Sequence, residues 1–345
     1  MEVYPFEGGY KGLPLAVRPS ESPSVDQLVA WIEQRPQEIQ DHLRHHGSVL
    51  FRGFAVEGPA DFERVARAVD PGLKNNYLGT SPRDGLTDYV FSASELPPYY
   101  PIPQHCEMSF TASPPRRVFF CCLQPPTDGG ETPLVDFRRV ASQMEPAVRD
   151  RFEEGGIRTI RNYRGPNEGG RDLWQLKPWD DMFGTRDHSV VEAMCAAEGF
   201  LPTWGPNDSL QLIGQHEAFR NHPDTGEKVW FNHTVVFHLS TAEAEYRRIW
   251  GRNRGLRDLA MWQFARAMTA GKSLTTESDD HAMHCTYLDG TQIPYADIEH
   301  VRDLVWKNLV VYPWVRGDVV AIDNNSVGHG RLPYSGDRKV AVCWA

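Results

Sequence analysis

Three short, strongly apolar segments in the middle and at the C-terminal end constrain the fold of this chain most. They are "RRVFFCCL" (116–123), "DVVAID" (318–323) and "RKVAVCW" (338–344), and each is bounded by turn-forming residues. Apolar runs of this length between turn residues are typical of strands, and "NLVVYPWV" (308–315) predicts a further one. The sequence contains no G-x-G-x-x-G and no Walker loop, which disfavours an alternating βαβ fold. The pattern therefore predicts an antiparallel β-barrel or jelly roll.

Helical periodicity is confined to the beginning of the chain and to one late segment. Apolar residues recur at helical spacing over 24–45, with an interruption near Pro36, and again over 60–70 and 241–270. The segment 75–104 is rich in Gly, Pro, Ser and Tyr, and it predicts a long ordered loop of the kind that often acts as a lid. We therefore expect a mainly β fold with helical decoration.

Charge and composition exclude several functional classes. The 345 residues include 36 Lys and Arg against 46 Asp and Glu, a formal net charge of −10, which argues against a nucleic-acid-binding protein. No apolar run is long enough for a membrane span, and the start "MEVYPFEGGYKGLPLAV" lacks the features of a secretory signal. The six cysteines form no C-x-x-C pair, and adjacent Cys121 and Cys122 would face opposite sides of a strand. We expect buried free thiols and a cytoplasmic location.

The stretch "PQHCEMSF" (103–110) contains the candidate chemistry. On an extended strand His105 and Glu107 would point to the same side, and Cys106 would point away. Two ligands are too few for one ion, and His329, in a predicted Gly-flanked turn after an apolar strand, is the candidate third. Two histidines and one carboxylate on one face are what non-haem Fe(II) oxygenases use. A jelly-roll protein that binds a structural divalent ion is the non-enzymatic alternative.

A predicted inward-facing arginine favours the enzymatic reading. Arg338 opens the last strand and shares a face with Val340, Val342 and Trp344. A cation on an apolar face needs an anion, and a ligand carboxylate could pair with the guanidinium through two hydrogen bonds. A closed structural metal site would have no use for such a group. Other histidines are expected to be structural or on the surface; they are His233, His238, His281 and His284.

Several ordered motifs together resemble the taurine-dioxygenase-like family (TauD/TfdA) of Fe(II)/2-oxoglutarate oxygenases. The resemblance covers most of the chain, and it is closer to the H-x-E branch, which includes clavaminate-synthase-like enzymes and amino-acid hydroxylases of nonribosomal-peptide clusters. The similar segments are "GSVLFRGF" (47–54), "SASELPPYYPIPQHCEMSF" (92–110), "PPTDGGETPLVD" (125–136), "HPDTGEKVWFN" (222–232) and "GDVVAIDNNSVGHGRLPYSGDR" (317–338).

The resemblance implies a double-stranded β-helix (cupin-like jelly roll) and a set of site residues. His105, Glu107 and His329 would bind Fe(II), and 2-oxoglutarate and O2 would be cosubstrates. Arg338 and Thr132 would hold the distal carboxylate of 2-oxoglutarate. Arg331 is a candidate for contacting either 2-oxoglutarate or an acidic substrate.

The resemblance also implies a domain plan and an activity. We expect a single oxygenase domain over 1–345, with an N-terminal helical layer over about 1–75 and a core over about 100–345 that carries a helical insertion over about 240–285. Some relatives have a second arginine shortly after the position of Arg338, where this chain continues with Lys-Val-Ala-Val, so a taurine-like sulfonate is disfavoured. Related halogenases lack the carboxylate that Glu107 provides, so we expect hydroxylation, or else desaturation or oxidative cyclisation. The expected substrate is a small amino-acid-derived molecule, free or bound to a carrier protein.

Overall fold

The computed structural model describes residues 1–10, 12–75, 83–94, 96–166 and 176–345. Its strands are β1 (Glu2–Tyr10), β2 (Leu13–Arg18), β3 (Ser48–Phe51), β4 (Phe91–Ser92), β5 (Ile102–His105), β6 (Arg117–Gln124), β7 (Asp128–Gly129), β8 (Leu134–Asp136), β9 (Ile157–Tyr163), β10 (Phe200–Trp204), β11 (Leu210–His216), β12 (Phe219–Asn221), β13 (Lys228–Trp230), β14 (Met283–Thr286), β15 (Val319–Asp323), β16 (Val327–Arg331), β17 (Tyr334–Ser335) and β18 (Lys339–Trp344). Its helices are α1 (Val25–Glu33), α2 (Pro36–His46), α3 (Pro59–Val69), α4 (Phe137–Gln143), α5 (Pro146–Gly155), α6 (Trp179–Phe183), α7 (His188–Ala197), α8 (Thr234–Phe237), α9 (Thr241–Asn253), α10 (Leu256–Thr275) and α11 (Tyr295–Lys307).

The largest sheet has seven strands in the order β1-β2-β3-β15-β6-β18-β4. Its interior strand β6 is buried on both faces, because alternate side chains enter two different apolar clusters. Phe119 and Cys121 pack against α1, α2 and α3, whereas Phe120 and Cys122 face the inner cluster that also contains Leu134 of β8. The predicted opposite orientation of Cys121 and Cys122 is confirmed. Alternation along one strand thus separates the N-terminal helices from the inner layer.

Four smaller sheets complete the β structure of the described residues: β5-β16-β8, β10-β11-β9-β14 and the two-stranded pairs β12-β13 and β17-β7. The three-stranded sheet stacks on the large one through the inner cluster, in the manner of a sandwich. On its other side it packs against α4, α5, α8 and α11. Pairing in the three-stranded sheet sets His329 of β16 directly opposite His105 of β5. This register joins two parts of the chain that are far apart in sequence.

Several sequence predictions can be compared directly with these elements. The interruption near Pro36 is confirmed, since Pro36 begins α2. The N-terminal hairpin of β1 and β2 was missed, and the first 75 residues contribute three strands to the large sheet as well as three helices. The predicted strand over 308–315 is wrong: among the described residues it forms a single bridge, between Val310 and Leu134.

The predicted late helical segment consists of two helices, α9 and α10, which are followed by β14. The predicted loop over 75–104 contains the short strands β4 and β5, and its residues 76–82 and 95 lie outside the described part of the chain. In the parts of the chain that the structure covers, no helix is both long and apolar enough to cross a membrane. All six cysteines are buried and free.

Candidate active site

Three buried side chains converge between β5 and β16. His105 ends β5, His329 lies in β16, and Glu107 follows two residues after His105. One potential ligand atom from each lies within 4.8 Å of the others. His329 Nε2 is 3.5 Å from Glu107 Oε2, and the two imidazole rings are 4.7 Å apart. These three residues could hold one metal ion.

The backbone that brings them together differs from the prediction in two ways. His105 and Glu107 do not share a strand, because β5 ends at His105 and Glu107 begins a turn in which Met108 has φ 51°. His329 lies within β16, not in a turn. Its flanking glycines are needed for close packing: a Cβ on Gly328 would lie 2.3 Å from the Phe137 ring, and one on Gly330 2.4 Å from the Ile102 carbonyl oxygen.

The electrostatics of the three groups favour metal binding. His105 Nδ1 lies 2.8 Å from the Pro103 carbonyl oxygen and donates to it, which leaves Nε2 free for a metal. Burial, reinforced by His329, lowers the pKa of His105 to about 4. Burial raises the pKa of the Glu107 carboxyl, but Arg83 and His329 outweigh burial, so that pKa lies below its ordinary value. A neutral imidazole and an ionised carboxylate are the forms that ligate Fe(II), so the residues present fit this ion.

Arg83 is a site residue that the sequence did not reveal. Its Nη2 is 3.0 Å from Glu107 Oε2, and its Nη1 donates to the Ala93 carbonyl oxygen at 2.6 Å. Both members of this ion pair are almost fully buried. Arg83 lies in the segment that was predicted only as a loop, where no periodic pattern marks an inward side chain. It offsets the charge of Glu107 and fixes the direction of one carboxylate oxygen.

Asn324, directly after β15, holds the backbone of Glu107 through two hydrogen bonds of its side chain. Its Oδ1 accepts from the Glu107 amide at 2.6 Å, and its Nδ2 donates to the Glu107 carbonyl at 3.0 Å. The same Nδ2 also lies 2.7 Å from the Pro115 carbonyl oxygen. The only sequence signal was a pair of asparagines following an apolar strand. Asn324 is a positioning residue, because it touches the ligand's backbone and not the metal.

Replacing Asn324 by alanine is expected to weaken metal binding about ten- to a hundredfold, the usual effect of removing a group that orients a ligand. Titration of the apo protein with Fe(II) under argon measures the change. Asn325→Ala is the matched control, since Asn325 is also buried but bonds to Asp323 and Arg220. Equal metal affinity in the Asn324→Ala variant and the wild type would contradict the positioning role.

A pocket beside the metal ligands contains the predicted anion-binding groups. It is lined by Arg83, Ala93, Ser94, Ile102, His105, Phe120, Thr132, His329, Gly330, Arg331 and Arg338. Arg338 donates through Nε to the Gly130 carbonyl oxygen at 2.8 Å and through Nη2 to Thr132 Oγ1 at 3.3 Å. Within the described ranges no carboxylate forms an ion pair with Arg338. Burial, together with Arg331, lowers its pKa to about 10, so it remains a cation at neutral pH.

Arg331 lines the same pocket but is already engaged with the backbone. Its Nη1 donates to the Leu96 carbonyl oxygen at 3.0 Å, and its Nη2 donates to those of Pro97 and Tyr100, each at 2.8 Å. The guanidinium therefore fixes the loop that precedes β5. Direct contact between Arg331 and a ligand stays a prediction.

A further histidine, His233, was set aside in the sequence but lies against the metal ligands. Its ring centroid is 4.9 Å from that of His105, and its Nδ1 is 2.7 Å from Ser109 Oγ. Phe110 meets the His233 ring edge-on at 4.6 Å. The segment "MSF" after Glu107 thus contributes Ser109 and Phe110 to the wall beside His105. The other three histidines set aside earlier have no ligand atoms in the described metal cluster.

The chain matches a family model and two curated relatives over almost its whole length. The model is described as "Taurine catabolism dioxygenase TauD, TfdA family", and it matches residues 11–344. The dapdiamide synthesis protein DdaC of Enterobacter agglomerans is 27% identical over 340 residues, which cover 99% of this chain and 93% of the relative. A clavaminate synthase-like protein of Arabidopsis thaliana is 28% identical over 332 residues, which cover 95% and 90% of the two chains.

Solved structures share the fold at low sequence identity. A taurine dioxygenase from Burkholderia xenovorans superposes with a TM-score of 0.50 at 14% identity, covering 99% of this chain and 88% of that one. PvcB of Pseudomonas aeruginosa also reaches 0.50 at 11% identity, covering 96% and 85%. These likenesses confirm the predicted jelly-roll class. The family match and the metal-ligand geometry agree, and this chain belongs to the TauD/TfdA family of Fe(II)- and 2-oxoglutarate-dependent dioxygenases.

Proposed function

We propose that this enzyme couples the oxidative decarboxylation of 2-oxoglutarate to the hydroxylation of a C–H bond in a small amino-acid-derived or natural-product substrate. The observation that carries the proposal is one pocket lined by His105, His329 and the partly buried cation of Arg338, with Glu107 clustered against the two histidines. Bound Fe(II) would supply the redox chemistry by which O2 oxidises both 2-oxoglutarate, to succinate and CO2, and the substrate. The roles of the chain's own residues are to hold, orient and shield the reactants.

Arg338 is the proposed partner of the distal carboxylate of 2-oxoglutarate. A partly buried guanidinium without an acidic partner among the described residues is unfavourable, and a ligand carboxylate offsets that cost through charge-assisted hydrogen bonds. Two observations support it: Arg338 lines the same pocket as the metal ligands, and it remains cationic at neutral pH.

Thr132 is proposed to donate to the same carboxylate. Its Oγ1 accepts from Arg338 Nη2 and from Trp314 Nε1, each at 3.3 Å. A hydroxyl has two lone pairs and one proton, so both acceptor positions are engaged and the proton is left to donate. Arg331 contributes positive potential and anchors the loop over 96–100, which we propose as a wall of the pocket.

Glu107 supports hydroxylation over halogenation, since its carboxylate takes the position that a halide would need. Desaturation and oxidative cyclisation use the same residues and remain alternative outcomes, because they differ only in which substrate atom lies nearest the metal. Family membership leaves the non-enzymatic metal-binding alternative without support.

The substrate class is supported by the relatives and by one departure from the family pattern. DdaC is a dapdiamide synthesis protein, and PvcB is an oxygenase from an isonitrile synthetic pathway. Lys339 and the three residues after it offer no second arginine for a sulfonate. We propose that the chain acts as one oxygenase domain, in the cytoplasm, on a free or carrier-bound substrate.

The test is succinate formation from 2-oxoglutarate with a panel of candidate substrates. The panel contains free amino acids, N-acylated amino acids, the pantetheine thioesters of both groups, and taurine. We expect amino-acid-derived members to raise the rate above the slow uncoupled rate, with a product 16 mass units heavier if the outcome is hydroxylation. Stimulation of succinate formation by taurine alone, or only by compounds without an amino-acid skeleton, would contradict the proposed substrate class.

A further inference from the structure

A buried arginine outside the cosubstrate pocket is linked to the metal ligand His105 through contacts of Phe110 and His233. Arg161 is in β9, on the same face as Tyr163, and only 1% of it is exposed. Its guanidinium carbon lies 4.5 Å from the ring centroid of Phe110 and 4.4 Å from that of Phe200. The charged group is therefore enclosed between two aromatic rings, in a place from which water is excluded.

Nothing in the described part of the chain neutralises this charge. Arg161 Nη1 donates to the Tyr163 hydroxyl at 3.2 Å, and Nη2 has no hydrogen-bond partner among the described residues. No carboxylate in those residues forms an ion pair with it. His216, whose Nε2 is also buried without a partner, has its pKa lowered to about 4 by burial and by Arg161, so it adds no charge of either sign.

Two other arginines that are as buried as Arg161 each form an ion pair with a carboxylate. Arg117 pairs with Asp323 at 2.6 Å, and Arg302 pairs with Glu299 at 2.9 Å. An uncompensated buried charge is strongly unfavourable, and the cation–π contacts with two phenylalanines offset only part of that cost. The free Nη2 and the missing carboxylate therefore point to an external anion.

Phe110 connects Arg161 to the metal ligands. One side of its ring faces the guanidinium, and it also meets His233, whose ring lies 4.9 Å from that of His105. A small molecule held between Arg161 and the metal would lie along Phe110. Its anionic end would be at one limit of that path, and the reacting C–H bond at the other.

We propose that Arg161 binds a carboxylate of the primary substrate, with the apolar part of the substrate against Phe110 and Phe200. The inference rests on the proposed function and narrows its substrate class to small carboxylic acids that have an apolar spacer between the carboxylate and the oxidised carbon. This anion site is distinct from that of 2-oxoglutarate, which Arg338 and Thr132 provide.

The test uses butyrate and its neutral analogue butyramide as probes. Protein with Fe(II) and saturating 2-oxoglutarate under argon, so that the Arg338 site is filled, is titrated with each probe at matched ionic strength. Binding is followed by calorimetry and by the melting temperature. We expect the wild type to bind butyrate more tightly than butyramide, Arg161→Met to bind butyrate about tenfold more weakly or worse, and Arg161→Lys to keep part of the preference.

Stability separates a binding role from a structural one. Removing an uncompensated buried cation should leave Arg161→Met at least as stable as the wild type. Arg302→Met, which loses the buried hydrogen bonds to Ser240, Thr241 and Glu299, should be destabilised. Equal binding of butyrate and butyramide by the wild type, unchanged butyrate binding in Arg161→Met, or a loss of stability like that of Arg302→Met each overturn the inference. An Arg161→Met variant that does not fold would also overturn the inference, because it would show that the fold itself needs the arginine.

The visible charge-transfer band of the Fe(II)–2-oxoglutarate complex distinguishes this inference from the function on which it rests. The band should be present in the wild type and in Arg161→Met alike. Its absence from the wild type defeats the proposed function. Its presence together with no preference for butyrate defeats the substrate site alone.

Discussion

Replacing His329 by alanine is expected to abolish Fe(II) binding at working concentrations and, with it, succinate formation. The variant leaves one imidazole and one carboxylate where three ligand atoms lie within 4.8 Å of one another. Loss of a ligand should cost more than the ten- to hundredfold reduction, roughly, that follows loss of a group behind a ligand. The charge-transfer band formed by Fe(II) and 2-oxoglutarate under argon should disappear, and the metal retained after desalting should fall accordingly.

A buried histidine elsewhere controls for the general effect of losing an imidazole. His284 in β14 is 2% exposed and bonds to Gln292, and it has no ligand atom in the described metal cluster. His284→Gln should keep the band and the succinate rate, even if it loses some stability. Should His329→Ala retain a band of wild-type intensity, another residue must be the third ligand.

Replacing Arg338 by methionine is expected to raise the KM for 2-oxoglutarate about a hundredfold or more while leaving Fe(II) affinity nearly unchanged. Methionine fills much of the same space but cannot pair with a carboxylate, and truncating one partner of a buried charged pair typically costs about 2–5 kcal/mol. Arg338→Lys should raise this KM less, because lysine keeps the positive charge but cannot form two parallel hydrogen bonds to a carboxylate. Initial rates of succinate formation against 2-oxoglutarate concentration measure the effect.

A change in the KM for 2-oxoglutarate without a change in Fe(II) affinity would show that Arg338 binds the cosubstrate and does not only support the fold. Arg338 also bonds to Gly130 and Thr132, so a merely structural residue would on substitution disturb metal binding and stability together. Arg316, an exposed arginine, gives the matched control, and Arg316→Met should leave the KM unchanged. A KM within about twofold of the wild type in Arg338→Met would show that another group holds the distal carboxylate.

Residues recognisable from a local pattern were the ones that the sequence could predict. His105, Glu107 and His329 stand in short motifs with family-like order, and the structure brings them together. Their local geometry was predicted less well: a strand was expected to carry both His105 and Glu107, but the chain turns after His105. The strand expected over 308–315 failed because an apolar run also suits an extended segment whose side chains fill a core without a ladder of backbone hydrogen bonds.

Residues that act through long-range contacts had no comparable signal. Asn324 meets the Glu107 backbone across 217 positions of sequence, and Arg83 reaches the Glu107 carboxylate from a loop without periodicity. Arg161 lies in β9, a segment for which the sequence predicted neither a strand nor a site residue. Its missing counter-ion is a property of everything packed around it, which a single segment does not reveal.

The sequence by itself predicted the fold class and the candidate metal ligands, because apolar runs and ligand types are local properties of the chain, and its resemblance to the family implied the anchors for 2-oxoglutarate. Only the tertiary structure decided the register that sets His329 opposite His105, the ion pair of Arg83, and the isolation of Arg161 from every described carboxylate. Register, burial and charge compensation depend on which distant segments meet, and that is settled by packing of the whole core.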